Sequence, residues 1–80
     1  MTPLQQVTQL RADGVDLHRR SLELREQADK LRIRSRDERG DREQFHGELY
    51  RRSVRLYAES SQLHVESDQK QAKAASIKLD

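Results

Sequence analysis

Apolar and small residues recur every seven positions in both halves of the chain. In the first half, the repeat consists of Leu10, Leu17, Leu24 and Leu31, with smaller residues three places ahead at Val7, Gly14, Ser21, Ala28 and Ser35. In the second half it consists of Leu49, Leu56, Leu63 and Ile77, interrupted by Lys70 and preceded by His46, Ser53, Ser60, Ser67 and Ala74. This spacing predicts two helices that pair along one seam, with small residues at heptad position a and leucines at d.

The boundaries of the two helices follow from local signals. Thr2, Pro3 and Gln5 predict a helix start, with a Thr cap, Pro at the first helical position and Gln completing a capping box. Residues 35–43 contain no apolar side chain, and Gly40 within them suits the left-handed position that ends a helix. We therefore expect one domain, with a helix over about 3–38, a turn over about 39–41 and a second helix over about 42–76.

Two residue pairs bear on where the second helix begins and on whether the first helix is continuous. Asp41 is suited to cap the second helix, with Gln44 three residues later. Asp13 and Gly14 also form a turn signal, which would divide the first helix. The heptad repeat continues unbroken through Gly14, and this favours a single first helix.

A second apolar stripe lies outside the predicted seam. It comprises Val15 and Leu22 at position b of the first helix, with Tyr50 and Tyr57 at e and Val54 at b of the second. A lone two-helix hairpin has little core, so a stripe of this kind favours a partner. The fold prediction is an all-α, antiparallel coiled-coil hairpin that dimerises into a four-helix bundle. An unidentified protein partner is expected at the stripe of Tyr50, Val54 and Tyr57 or at the Arg-rich turn. The alternative is that these side chains only cover the seam of a monomer.

Composition excludes several classes of function. The chain has 80 residues, 38% of them charged, and no cysteine, so it offers no disulfide or thiolate metal site and little room for a catalytic interior. No apolar run reaches the length of a membrane span, and the N-terminal residues do not resemble a signal peptide. We expect a cytoplasmic, non-enzymatic protein without cofactor, small-molecule substrate or membrane association.

Basic residues concentrate near the predicted turn. Residues 30–55 hold nine basic and five acidic side chains, a net charge of +4. Arg51, Arg52 and Arg55 lie close in sequence to Tyr50 and Tyr57, and together they form a candidate site for gripping phosphates and stacking bases. The alternative is a solvated face in which these arginines pair with the interspersed carboxylates.

A metal site has one weak signal. Glu43 and His46 have the Glu-x-x-His spacing of carboxylate-bridged di-iron bundles. The first helix brings Arg32, Arg34 and Arg36 to the same end, and their charges would repel a cation. We therefore expect no metal, and no Gly-rich phosphate loop or catalytic triad is visible in the sequence.

Two short stretches resemble known families. The stretch Glu48–Ser53 is similar to the second-helix segment of the Rop family, plasmid copy-number regulators that form dimeric four-helix bundles and bind paired RNA loops. That resemblance implies a bundle and a nucleic-acid partner. The RNA-contacting positions of the Rop family lie on its first helix, where this chain shows no matching row of aromatic and basic residues.

The predicted turn has its own resemblance. The stretch Arg39–Glu43 resembles the hairpin tip of the Gre-type transcript cleavage factors, which carry acidic tip residues into the secondary channel of RNA polymerase. The resemblance implies a tip formed by Gly40, Asp41 and Glu43 and an effector of RNA polymerase. The polymerase-binding domain of that family has no counterpart in this sequence.

Overall fold

The computed structural model describes residues 1–79, and over this range the chain is a two-helix hairpin without strands. Helix α1 spans Pro3–Glu43 and helix α2 spans Glu48–Ser76. The helices pack side by side along their length in a rod of 59 × 15 × 13 Å. Gly14 meets Ser67 and Ser21 meets Ser60, so the two helices run antiparallel. The predicted all-α hairpin is confirmed.

Small side chains fill the seam between the helices. The buried residues at position a are Val7, Gly14, Ser21, Ala28 and Ser35 of α1 and Ser53, Ser60, Ser67 and Ala74 of α2. The leucines at position d are only half-buried. Small a residues let the two backbones approach closely, and this leaves the leucines at the margin of the seam.

Serine hydroxyls bridge the two backbones. Ser60 Oγ donates a 2.6 Å hydrogen bond to the carbonyl oxygen of Ser21, and Ser67 Oγ donates one of 2.6 Å to the carbonyl oxygen of Gly14. An added Cβ at Gly14 would lie 2.9 Å from Gln71 Cγ and 3.3 Å from the carbonyl oxygen of Ser67. Through the two bonds above, the hydroxyls of Ser60 and Ser67 have the hydrogen-bond partners that buried hydroxyls require.

The N-terminal capping box is confirmed, and α1 continues without a break past Gly14. Thr2 Oγ1 accepts a 3.2 Å hydrogen bond from the Gln5 amide, and the Gln5 side chain accepts one of 2.9 Å from the Thr2 amide. The heptad packing holds Gly14 in the helix, although glycine lowers helix propensity there.

The chain reversal differs from the predicted turn over about 39–41. Gly40 leaves the helix with φ 82°, but a further helical segment continues to Glu43, and α2 begins only at Glu48. Gly47 (φ 90°), and not Asp41, precedes α2, and it provides no side-chain cap. Ser35 Oγ donates a 2.6 Å hydrogen bond to the carbonyl oxygen of Gln44. The chain therefore reverses between Gly40 and Gly47, over a longer segment than a turn at Gly40 alone. The positive φ of both glycines and the bond from Ser35 to Gln44 shape this segment.

Candidate binding face

One side of the hairpin gathers basic and aromatic side chains along a groove between the helices. Its floor is formed by position e of both helices: Arg11, His18, Arg25, Arg32 and Arg39 of α1, and Tyr50, Tyr57 and His64 of α2. Its two edges are formed by position b, which holds Val15, Leu22, Asp29 and Arg36 of α1 and Val54, Ser61 and Asp68 of α2. We call this surface the aromatic–cationic face. Residues seven positions apart lie on the same side of a heptad helix, which is why each row is continuous.

Arg32 connects the two rows near the middle of this face. Its guanidinium carbon lies 4.5 Å from the centre of the Tyr57 ring and 5.2 Å from that of Tyr50. Its Nε also lies 3.4 Å from Ser53 Oγ, at the edge of the seam. Both tyrosine rings are half-buried, so this cation–π contact orders them against α1.

Tyr57 also bonds to a carboxylate. The Tyr57 hydroxyl donates a hydrogen bond to Asp29 Oδ1. This bond raises the pKa of the Tyr57 phenol above its usual value, because the protonated phenol is the form that donates, and desolvation and the Asp29 charge act in the same direction. Asp29 thereby has a partner on the face itself.

Towards the open end of the hairpin, two histidines meet across the groove. The rings of His18 and His64 lie 5.4 Å apart, tilted by 48°. His64 Nε2 lies 3.7 Å from Asp68 Oδ2 on its outer side. Between this pair and Tyr57 the groove opens, lined by Leu22, Arg25 and Val65. Flat rings and guanidinium groups therefore alternate along the floor.

Within residues 1–79, several basic residues of α1 pair with carboxylates, whereas the four arginines of the floor, like Arg36 and Arg42, do not. Arg19 and Arg20 both contact Asp16, at 2.7 and 3.1 Å, and the pairs Lys30–Glu26 and Arg34–Glu38 follow at 3.4 and 3.6 Å. Within residues 1–79, no carboxylate oxygen lies within 4.0 Å of a side-chain nitrogen in the arginines of the floor, Arg11, Arg25, Arg32 and Arg39. The face therefore carries positive charge that the hairpin itself does not neutralise.

The structure brings the predicted partner-binding residues onto this one face. Val15, Leu22 and Val54 are exposed, at 64%, 53% and 44% of their full surfaces, and they flank the half-buried Tyr50 and Tyr57. Phe45, near the turn, packs edge-on against Tyr50 with ring centres 5.6 Å apart. These apolar side chains and the aromatic rings thus lie on the same face, where Asp29 and Ser61 interrupt the apolar edges.

The other predicted site residues lie elsewhere. Arg51, Arg52 and Arg55 are exposed on α2 at positions f, g and c, away from the groove, and it is Arg32 of α1 that stacks on the tyrosines. At the turn, Gly40, Asp41 and Glu43 are exposed, and the Asp41 carbonyl oxygen accepts a 2.8 Å hydrogen bond from Gln44 Nε2. The sequence-predicted arginines and the tyrosines therefore do not share a surface.

The basic row lies on α1 and the aromatic rings beside it lie on α2, so the residues of one helix alone do not indicate this face. The signal present in the sequence is the seven-residue spacing of Arg11, His18, Arg25, Arg32 and Arg39. That spacing matches the Leu and small-residue repeats, and it places these side chains beside the seam once the helices pair antiparallel.

Residues 1–79 contain neither a group of metal-ligating side chains nor a membrane-spanning helix. No three His, Asp or Glu side chains of residues 1–79 come close enough together to hold a metal ion. Over the same residues, neither helix has the length and apolar character needed to cross a membrane. Comparisons of the chain with protein-family models, curated proteins and solved structures give no match.

Proposed function

We propose that this chain is a small, non-enzymatic interaction protein that self-associates through its aromatic–cationic face. One observation carries the proposal: the largest fully buried side chains of the described hairpin are serines, at positions 35, 53 and 67. Burial of large apolar side chains supplies most of the stability of a small domain, and this hairpin buries none of its leucines completely. A second hairpin would supply the missing core.

The edges of the aromatic–cationic face are the best surface for that association. Val15, Leu22 and Val54 expose apolar area on both sides of a groove that already holds two ordered tyrosines. A second copy placed on these edges would bury them together with the outer parts of Tyr50 and Tyr57 and extend the two-helix seam into a four-helix bundle. A different protein partner with a matching apolar stripe would use the same edges.

The unpaired arginines give this association a particular salt dependence. Two copies placed face to face bring two rows of positive charge together, and these rows repel each other. Dissolved salt screens that repulsion over about 10 Å at 0.1 M ionic strength and more strongly above it. Self-association is therefore expected to strengthen as the salt concentration rises.

The experiment compares molar masses from light scattering over a range of protein concentrations. The double variant Leu22→Gln with Val54→Gln removes the apolar edges and keeps residues compatible with exposed helix positions. The matched control is Ile33→Gln, because Ile33 is 51% exposed against 53% for Leu22 but occupies the outer position f. We expect the double variant to lose the dimer and the control to keep it. A wild-type chain that stays monomeric, or a control that dissociates as readily as the double variant, would refute the proposal.

A further inference from the structure

We infer that the aromatic–cationic face is also a binding surface for single-stranded nucleic acid. The inference goes beyond self-association and rests on different features, namely the charge and the flat side chains of the groove floor. A second copy seated on the apolar edges would cover the same groove, so the strand binds the free hairpin and competes with self-association.

The first step concerns charge. The arginines at positions 11, 25, 32 and 39 follow one line along α1 and, within residues 1–79, form no ion pair. Arg51 and Arg55 of α2 form none either, so the row is distinguished by its place in the groove, where Arg32 lies over both tyrosines. The two carboxylates of the face, Asp29 and Asp68, already contact Tyr57 and His64. A hydrogen bond from a phenol does not cancel a carboxylate's charge, but the four arginines outnumber the two carboxylates, so the face keeps a net positive charge. That charge can neutralise phosphates, which is the main source of affinity for nucleic acids.

The second step concerns the flat groups between these charges. The Arg32 guanidinium lies over the rings of Tyr57 and Tyr50, and the His18 and His64 rings lie 5.4 Å apart further along the groove. Aromatic rings and guanidinium planes are the surfaces on which unpaired bases stack, at about 1–3 kcal/mol per base. A cationic groove interleaved with rings therefore recognises both parts of a nucleotide.

The third step concerns shape, which favours a single strand over a duplex. The row from Arg11 to Arg39 extends over about 42 Å at 1.5 Å per residue, which matches on the order of ten stacked nucleotides at about 3.4 Å each. The rod is 15 × 13 Å in cross-section, and the major groove of a DNA duplex is only about 12 Å wide. The two helices together do not fit into that groove, and the faces of the bases in a duplex are already stacked on one another, so only unpaired bases can stack on the tyrosines.

The experiment titrates the protein into a fluorescently labelled single strand of about twelve nucleotides with a mixed, unpaired sequence, and follows the anisotropy. For a single strand, the logarithm of the binding constant falls with the logarithm of the salt concentration by about 0.7 for each phosphate that is neutralised. With about four phosphates neutralised, the affinity should fall about fiftyfold between about 50 and 200 mM salt. RNA and DNA forms of the strand are expected to bind alike, since the face reads phosphates and base planes. If only one of them binds, the assignment to phosphates and base planes is wrong.

Two variants locate the site. Arg11→Gln with Arg25→Gln removes two charges of the row without touching a hydrogen-bonded side chain, and we expect at least tenfold weaker binding at about 50 mM salt. Arg51→Gln with Arg55→Gln removes the same charge from the outer side of α2 and is expected to change affinity less than twofold. Circular dichroism checks that both variants keep the helical content of the parent. Equal losses in the two variants would overturn the inference.

Two probes separate stacking from charge alone. Inorganic polyphosphate of matched charge and the same strand annealed to its complement are both expected to bind at least tenfold more weakly than the free strand. The chain has two tyrosines and no tryptophan, so quenching of its intrinsic fluorescence by the free strand reports stacking at Tyr50 or Tyr57 directly. Absence of binding at about 50 mM salt, or polyphosphate binding as tightly as the strand, refutes the inference. The mass measurement without nucleic acid tests self-association separately, and its salt dependence has the opposite sign.

Discussion

Ser67 Oγ donates a 2.6 Å hydrogen bond to the carbonyl oxygen of Gly14, directly across the seam between α2 and α1. A glycine favours this close contact, because a Cβ at position 14 would lie 3.3 Å from the Ser67 carbonyl oxygen and 2.9 Å from Gln71 Cγ. The close approach of the two helices at this level thus depends on Gly14 of α1 and Ser67 of α2. The same approach places the e positions of the two helices next to each other on the aromatic–cationic face.

The variant Gly14→Val tests the close approach. Its Cβ would stand 2.9 Å from Gln71 Cγ, and its two methyl groups would force the helices apart. We expect a loss of about 1–3 kcal/mol in the free energy of unfolding, measured by urea denaturation. The control Ala12→Val, at an exposed position of the same helix, is expected to cost only about 0.5 kcal/mol. Equal losses in the two variants would show that position 14 is not tightly packed.

The buried serines contribute through their hydrogen bonds. Ser60→Ala and Ser67→Ala each remove a hydroxyl that donates to a backbone carbonyl of α1, and this should cost about 1 kcal/mol relative to an exposed serine. Ser61→Ala is the matched control, because Ser61 is exposed on α2 and gains only helix propensity. If all three variants are equally stable in urea, the bonds across the seam do not stabilise the hairpin.

The Tyr57–Asp29 bond predicts that the folded hairpin becomes less stable as the pH rises into the alkaline range. The pKa of Tyr57 is raised in the folded chain, so its contribution is fully present below the unfolded tyrosine pKa of about 10 and is lost as the pH rises through the folded value. In Asp29→Asn, the tyrosinate absorbance should appear at lower pH than in the parent. The control Asp16→Asn, which removes a carboxylate that pairs with Arg19 and Arg20, should leave that titration unchanged. A titration unaffected by Asp29→Asn would contradict the bond.

Gly40 is expected to tolerate no other residue at its present conformation. Its φ of 82° and ψ of 174° fall in a region that is essentially restricted to glycine, so Gly40→Ala and Gly40→Asn should each cost about 1–3 kcal/mol in urea unfolding. No neighbouring atom lies within 4 Å of an added Cβ, so the cost would come from the backbone and not from a clash. Asp41→Ala serves as the control, and equal stability of all these variants would show that the chain leaves this conformation easily.

The heptad pattern predicted the hairpin and the continuity of α1 through Gly14, and the capping signal of Thr2, Pro3 and Gln5 predicted the helix start, because each depends on local residues or on a regular spacing. The reversal was harder, since its length is set by the positive φ of Gly47 as well as Gly40 and by the bond from Ser35 to the Gln44 carbonyl. The cationic half of the aromatic–cationic face was also missed. Arg32 and Tyr57 are 25 positions apart, and only the antiparallel pairing of the helices stacks one on the other.

The most direct test of the central claim is the molar mass of the parent chain in light scattering, measured at increasing protein concentration in about 50 and about 500 mM NaCl. The account predicts a concentration-dependent rise from the 9.4 kDa of one chain towards twice that mass, at lower protein concentration in the higher salt. A mass that remains at 9.4 kDa under all these conditions would contradict self-association, and a dimer that weakens with salt would place the interface away from the arginine row.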